Sequence, residues 1–506
     1  MLAATAVAAA LRAFHLGAQS LWVDEAFTWI GANIGAPLGL RALVQDLHGP
    51  VYTLVLHAWG AHAGDAEWAL RGPSWLFGVA TVPALAWLAT RWLGRDAASP
   101  AAWLAAGSPF LVWYSQEARN YMLVILWSCV AGALLVGPTR RPMARTLGYA
   151  IVAAAGLLSN FSFALLGPVH LRWWLGQQRS AAERGHGSLF ARGGRRWLWL
   201  AALAAVMLLV TVPWIPQMTL SWRWDRLLPT HRLTAAEGSL PGRPSFHAGA
   251  IPFALHALAV GYTLGPSPRE LKGTTSAAVL NRHLPELGAV TLVFAFVGIA
   301  GLVTLARRRR LTDALLWFGT PVVLLSLFAL RQFKLFNPRY LAVCAPLFLL
   351  VVAAGLAGLR RPLRIAAAAG ITLLWVVSLT HDYFDPRYGK EDYRDAVRLV
   401  AERSRAGEKL LAVGAQEPVY YYYRGPLPVD QLWLGYVDRP ERLRQELEGK
   451  LAGARGTWIV LSRPEDLDPR DVLARSLDAR VPAAETYRFH GVRVWHVRPD
   501  RAGVVP

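Results

Sequence analysis

Cysteine is almost absent. Two occur in 506 residues, Cys129 and Cys344, each inside an apolar stretch, which excludes a disulfide framework and leaves both as packing residues. Charge is scarce as well: 17% of residues are charged against 54% hydrophobic, and the mean hydropathy of +0.30 exceeds that of ordinary soluble domains. Only five of the 53 basic residues are lysine, and only 14 of the 33 acids precede Tyr383. No internal repeat is detectable, which counts against the paired halves common in transporters. A formal net charge of +20 raises nucleic acid as a partner, but the arginines lie in short clusters between apolar stretches rather than on a basic, aromatic-interleaved domain, so no nucleic acid is expected.

What is present is a series of apolar stretches running from the N-terminus to about Leu379, many near the roughly 17–25 residues that span a hydrocarbon core as a helix. The arginine clusters between them mark one side of a membrane, the cytoplasmic side. They are Arg91/Arg95, Arg140/Arg141/Arg145, Arg179 through Arg196, Arg307 to Arg310, and Arg360/Arg361/Arg364. Inward spans then fall at about 72–93, 120–137, 286–305 and 340–358, and return spans at about 97–113, 197–216, 312–331 and 363–380. Residues 146–178 leave and re-enter, turning near Ser159, Asn160 and Phe161. Residues 1–16 count as a helix rather than a signal peptide, because no basic residue precedes the apolar run. The total is about eleven transmembrane helices, a polytopic all-α bundle. Residues 48–62, HGPVYTLVLHAWGAH, are short and lack a basic end, and a crossing there would invert every later span. They are therefore expected as an interfacial helix, Pro50 in its first turn, within an outer loop spanning 17–71.

On this topology all but Asp96, Glu183 and Asp313 of those 14 acids face outward. Carboxylates beside the membrane core are costly and are candidates for function. A long outer loop, 222–285, is rich in Gly, Pro, Ser and Thr and reads as a lid or a disordered segment. From about Tyr383 the pattern becomes that of a small extracytoplasmic α/β domain, giving domains 1–382 and 383–506. KEDYRDAVRLVAERS, RPERLRQELEGKLAG and DPRDVLARSLDA read as helices, KLLAVG and GTWIVLS as strands, and YRFHGVRVWHV as a hairpin about His490 and Gly491. It carries no phosphate loop or nucleophile elbow and is expected to act as lid, scaffold or acceptor-recognition module. Its tyrosine run, EPVYYYYRG at 417–425, is expected to be a buried aromatic face more readily than a sugar platform.

Four motifs share the outer side: SLWVDEAFTW (20–29), HGPVYTLVLHAW (48–59), YSQEARNYML (114–123) and FNPRYLAVCAPL (336–347). In order and spacing they resemble the polyprenyl-phosphate-sugar-dependent glycosyltransferases of the GT-C superfamily, in particular the bacterial protein-mannosyltransferase-like branch, glycosyltransferase family 39-like. The similarity covers nearly the whole chain. It implies a GT-C membrane bundle and transfer of a sugar from a polyprenyl-phosphate donor to a hydroxyl on a lipid, glycan or protein acceptor. The reaction would run at the outer face of the cytoplasmic membrane, with inversion. Asp24 takes the place of the proposed catalytic base. Glu25, His48, Gln116, Glu117, Arg119, Tyr121, Arg339 and Tyr340 fall at positions implied to bind substrate, the arginines serving the phosphate.

The chemistry agrees with these residue types. A partly desolvated carboxylate can take the acceptor's proton. The departing polyprenyl phosphate is a stable anion that needs positive charge rather than a general acid. Glu25 could equally cap the following helix, Glu117 and Arg119 could pair as a surface ion pair, and Arg339 could snorkel to headgroups. His48-Gly49-Pro50 departs from the family's His-Pro-Pro. No cofactor is required by these residues, and a divalent metal at His48 with a carboxylate is left open. The competing classes are a transporter or flippase of lipid-linked sugars, and a non-catalytic envelope assembly factor.

Overall fold

The computed structural model describes residues 1–32, 49–184, 205, 207–208, 211–215, 249–273, 276–330, 336–432, 440–452, 454–463, 471–482 and 485–498. Five of its helical runs are long and apolar enough to cross a bilayer: Glu67–Trp92, Leu284–Arg307, Leu311–Leu330, Pro338–Gly358 and Arg361–Phe384. The expected spans at 72–93, 286–305, 312–331, 340–358 and 363–380 each coincide with one of them. The stretch expected at 120–137 forms a shorter helix, Tyr121–Leu135. Residues 197–216 lie almost entirely outside the described residues.

One expected span is broken. The stretch 97–113 forms two helices, Ala98–Gly107 and Pro109–Ser115. Pro109 brings no N–H to the ladder, and the Ser108 hydroxyl accepts from the Leu111 N–H at 3.4 Å as a new N-cap. The turn expected near Ser159–Phe161 is present. Helix Pro142–Ser159 ends there, and the Asn160 side-chain oxygen Oδ1 accepts from the Ser162 N–H at 2.9 Å to open the tight turn Phe161–Leu166. Helix Gly167–Glu183 returns.

The exterior of the bundle is apolar. Leu292, Ile299, Ile365 and Leu373 are each more than half exposed, a surface suited to a hydrocarbon solvent rather than water. Inside, Gly301 and Gly355 bring helices Leu284–Arg307 and Ala345–Gly358 together: a Cβ on either would lie 2.1 Å from a carbonyl oxygen of the other helix. Among the described residues, arginines of three of the clusters gather at one end. Arg91 and Arg145 both donate to the Val136 carbonyl, Arg308 donates to that of Leu93, and Arg172 pairs with Asp313 at 2.7 Å.

At the other end sits the C-terminal α/β domain, a five-stranded sheet in the order β2-β1-β3-β5-β4. Its strands are β1 Lys409–Val413, β2 Val429–Leu432, β3 Thr457–Ser462, β4 Thr486–Phe489 and β5 Val492–Val497. β1 runs parallel to β2 and β3, and β5 is antiparallel to β3 and β4. The β4–β5 turn is His490-Gly491, with Gly491 at φ +69, as its sequence suggests. The expected helices lie at Tyr393–Arg403, Pro440–Leu451 and Val472–Asp478.

The tyrosine run forms a short helix, Glu417–Tyr422, that docks this domain on the bundle. The Tyr422 hydroxyl accepts from the Leu21 N–H at 2.7 Å and donates to Glu67 at 3.0 Å, while that of Tyr421 donates to the Asp65 carbonyl. Arg394 adds an ion pair with Glu67 at 2.8 Å and bonds to the carbonyls of Gly17 and Ala18.

The long loop 222–285 is more ordered than expected over its described part. Ala250–Val260, Pro268–Gly273 and Ser276–Arg282 are helical. The first is a stretch of apolar residues whose buried face closes on the bundle, a pattern masked in sequence by the Gly- and Pro-rich residues around it.

Candidate functional site

Helix Val23–Ala32 begins with two acids in its first turn, where the positive end of the helix dipole favours them. They diverge. Glu25 turns inward and is fully buried. Its carboxylate accepts from Arg71 Nε at 2.8 Å and Nη2 at 3.0 Å, from Lys390 Nζ at 3.0 Å, and from the Ala118 N–H at 2.8 Å. Burial alone would raise its pKa, but Arg71, Lys390 and the N–H donors outweigh that and bring it down to about 2. One carboxylate thus joins four segments: the helix that carries Asp24, the bundle helix Glu67–Trp92, the 116–120 loop and the C-terminal domain.

Asp24 turns outward. Its carboxylate takes Arg339 Nη1 at 2.6 Å, with both side chains about a quarter exposed. Arg339 is aimed by Asn337, whose side chain caps the turn Pro338–Cys344 by accepting from the Arg339 N–H at 3.1 Å. Asp24, Arg339 and Glu117 line a cavity of about 270 Å³ between bundle and α/β domain. Glu117 is 3% exposed. One of its carboxylate oxygens accepts from Trp113 Nε1 at 2.9 Å, and burial is the main cause that pushes its pKa up to about 7.

The other residues named from sequence lie elsewhere. Glu25 does not line the cavity, and its oxygens are taken by protein donors, so it ties together the segments that form the site. Gln116 donates to the carbonyls of Arg12 and Phe14 at 3.1 and 2.6 Å, pinning the loop to helix Leu2–Ala13. Tyr121 is 2% exposed and packs its ring 5.0 Å from that of Tyr114. Tyr340 sits under the Arg339 guanidinium at 5.4 Å from the ring centre, a cation–π contact that steadies the arginine. Arg119 does not pair with Glu117. It donates to the Asp24 carbonyl at 3.0 Å and Thr28 Oγ1 at 2.6 Å, beside a separate small void. His48 lies outside the described residues. Its neighbour Gly49 explains the departure from His-Pro-Pro: a Cβ there would stand 1.9 Å from the Leu158 carbonyl oxygen.

Sequence reasoning missed the far wall of the cavity. It is supplied by Tyr262 and Arg269 from the loop 222–285 and by Lys390, Glu391 and Arg463 from the α/β domain. Lys390 carried a signal, as one of only five lysines in the chain, at the head of KEDYRDAVR. Among the described residues no group of three His, Cys, Asp or Glu is placed to hold a metal ion.

The helical bundle with an α/β domain capping the end that carries Asp24 is a fold shared with solved structures of ArnT and of an archaeal oligosaccharyltransferase. The chain is similar to ArnT from Cupriavidus metallidurans in the apo state, with 15% identity, a TM-score of 0.57, and coverage of 100% of this chain and 99% of that one. The same protein bound to undecaprenyl phosphate matches at 16% identity and a TM-score of 0.53, over 100% and 99% of the two chains. The Archaeoglobus fulgidus oligosaccharyltransferase tethered with an acceptor peptide matches at 13% identity and a TM-score of 0.53, over 94% of this chain and 70% of that one. At such identities the likeness is one of fold. No family model matches the chain, and no curated protein matches it in sequence.

Proposed function

We propose that this protein is an integral membrane glycosyltransferase that moves a sugar from a polyprenyl-phosphate donor to an acceptor hydroxyl, with Asp24 as the base. The observation that carries the reading is the Asp24–Arg339 pair at 2.6 Å, facing a cavity shared by bundle and α/β domain. A GT-C neighbour bound to undecaprenyl phosphate supports the donor class.

The pair suggests how the base is armed. Before donor binds, the Arg339 guanidinium occupies the Asp24 carboxylate. A donor phosphate competes for the guanidinium through charge-assisted hydrogen bonds, which frees Asp24 to face the acceptor hydroxyl. The oxygen of that hydroxyl attacks the anomeric carbon as its proton passes to Asp24, and the bond to the phosphate oxygen breaks on the opposite face. The electron pair leaves with the polyprenyl phosphate, where Arg339 receives the charge. A single displacement of this kind inverts the anomeric centre. The reaction would lie at the non-cytoplasmic face of the cytoplasmic membrane, because the site and the described arginines Arg91, Arg145 and Arg308 occupy opposite ends of the bundle. Among acceptors, lipid, glycan and protein hydroxyls all suit this chemistry.

The test is D24N in membranes supplied with labelled polyprenyl-phosphate sugars. Transfer should fall by about 10³-fold, the loss expected when a general base is removed, while the protein inserts and still binds donor. Wild-type transfer by that variant would overturn the assignment.

A further inference from the structure

Two segments of the bundle carry carboxylates of the cavity, helix Val23–Ala32 with Asp24 and the 116–120 loop with Glu117, and one ammonium touches both. Lys390 Nζ donates to Glu25 Oε2 at 3.0 Å and to the Gln116 carbonyl at 3.3 Å. Glu25 follows Asp24 in the chain, and Gln116 precedes Glu117. The lysine's own N–H donates to Gln19 Oε1 at 3.0 Å, which fixes its backbone to the first loop. Its side chain is 9% exposed, and its position is set by the C-terminal domain, whose first long helix starts three residues later at Tyr393. Arg71 alone would balance the charge of Glu25. A second buried cation adds a desolvation cost that charge balance does not require.

We propose that Lys390 is a positioning residue through which the C-terminal domain sets the spacing of Asp24 and Glu117 across the cavity, making that domain part of the active site. A lysine suits the task because its ammonium is a compact charge with three separate donors, so one group can hold a carboxylate and a carbonyl on two different segments. A planar guanidinium would have to displace one of them. The inference rests on the reading of Asp24 as base. It differs from docking in general: Tyr421 packs its ring on Trp29 of helix Val23–Ala32, and Tyr422 and Arg394 bind Glu67 and the backbone of the first loop, whereas the Lys390 ammonium hydrogen-bonds both carboxylate-bearing segments at once.

The experiment compares the full-length wild type with K390M, K390A, K390R and R394A in proteoliposomes supplied with labelled polyprenyl-phosphate sugar. Amide hydrogen exchange of residues 22–28 and 116–120 is measured in parallel. K390M keeps the bulk of the stem and should lose about 100-fold in kcat, the cost of misplacing reacting groups by about 1 Å. Donor KM should stay within about threefold, because an interaction that acts on the transition state is the one removed. Exchange in both segments should quicken. K390A should regain part of its kcat with added ethylamine, K390R should be intermediate, and R394A should keep the wild-type kcat. Wild-type kcat in K390M would overturn the proposal, as would a loss matched by R394A with no amine rescue, which would make Lys390 one docking contact among several. Should the wild type itself transfer no sugar, the function proposed above fails, and hydrogen exchange decides Lys390 by itself: unchanged protection of the two segments in K390M would refute it.

Discussion

Replacing Glu25 by glutamine tests the centre of the site. The carboxylate is fully buried and accepts from two cations, Arg71 at 2.8 Å and Lys390 at 3.0 Å. In E25Q those buried cations lose their shared hydrogen-bonded counter-charge, a situation that typically costs about 3–5 kcal/mol. Linkage gives a second route to the same size. A carboxylate held near 2 in the fold, against 4.5 unperturbed, contributes about 3 kcal/mol above pH 5. The sign follows from the depressed pKa: the stability is fully present above 4.5 and is lost as pH falls from 4.5 towards 2. Tryptophan fluorescence during thermal unfolding in detergent should show E25Q melting lower by on the order of 5 °C at neutral pH. The difference from wild type should close as the pH falls through that window. E25M/R71M/K390M, which removes the whole network, should melt closer to wild type than E25Q does, because it leaves no unpaired charge buried. An E25Q protein with the wild-type melting temperature at pH 7 would refute the view of Glu25 as a buried hub.

Further outcomes are expected at neighbouring positions. Glu117, held near 7 chiefly by burial, should place an inflection near pH 7 in the transfer rate; the profile of E117Q should lack it, and an unchanged profile would free Glu117 from that role. R339K keeps the charge but loses the planar fork, and donor KM should rise by about tenfold or more in a steady-state titration. Y422F loses the hydroxyl that bonds Leu21 N–H and Glu67, and should destabilise domain docking by about 1 kcal/mol, read as faster limited proteolysis of the C-terminal domain. G49A should misfold or lower the yield of folded protein, because its Cβ would collide with the Leu158 carbonyl.

Much of the architecture was legible in the chain itself, because the membrane makes local composition decisive. A helix must satisfy its own backbone within an apolar stretch, so length and hydropathy located Leu284–Arg307, Leu311–Leu330 and Arg361–Phe384 without reference to any neighbour. Strand alternation and turn residues likewise revealed the β4–β5 hairpin and the strands β1 and β3. The break at Ser108-Pro109 was hidden, since the apolar run continues through it and only the missing N–H of Pro109 ends the helix.

Adjacent residues with the same chemistry are where sequence had least to say. Asp24 and Glu25 differ by one methylene, and both were named as functional. Successive helical positions point about 100° apart, so one side chain met Arg71 and Lys390 in the interior while the other met Arg339 at the cavity. The same limit applies to Gln116 and Lys390, whose partners lie about a hundred residues or more away. Composition determined that this chain is a membrane bundle with acids gathered at one end. Only the tertiary fold decided which acid is structural and which faces the cavity, because that depends on cations delivered from distant segments, and no local pattern records where they arrive.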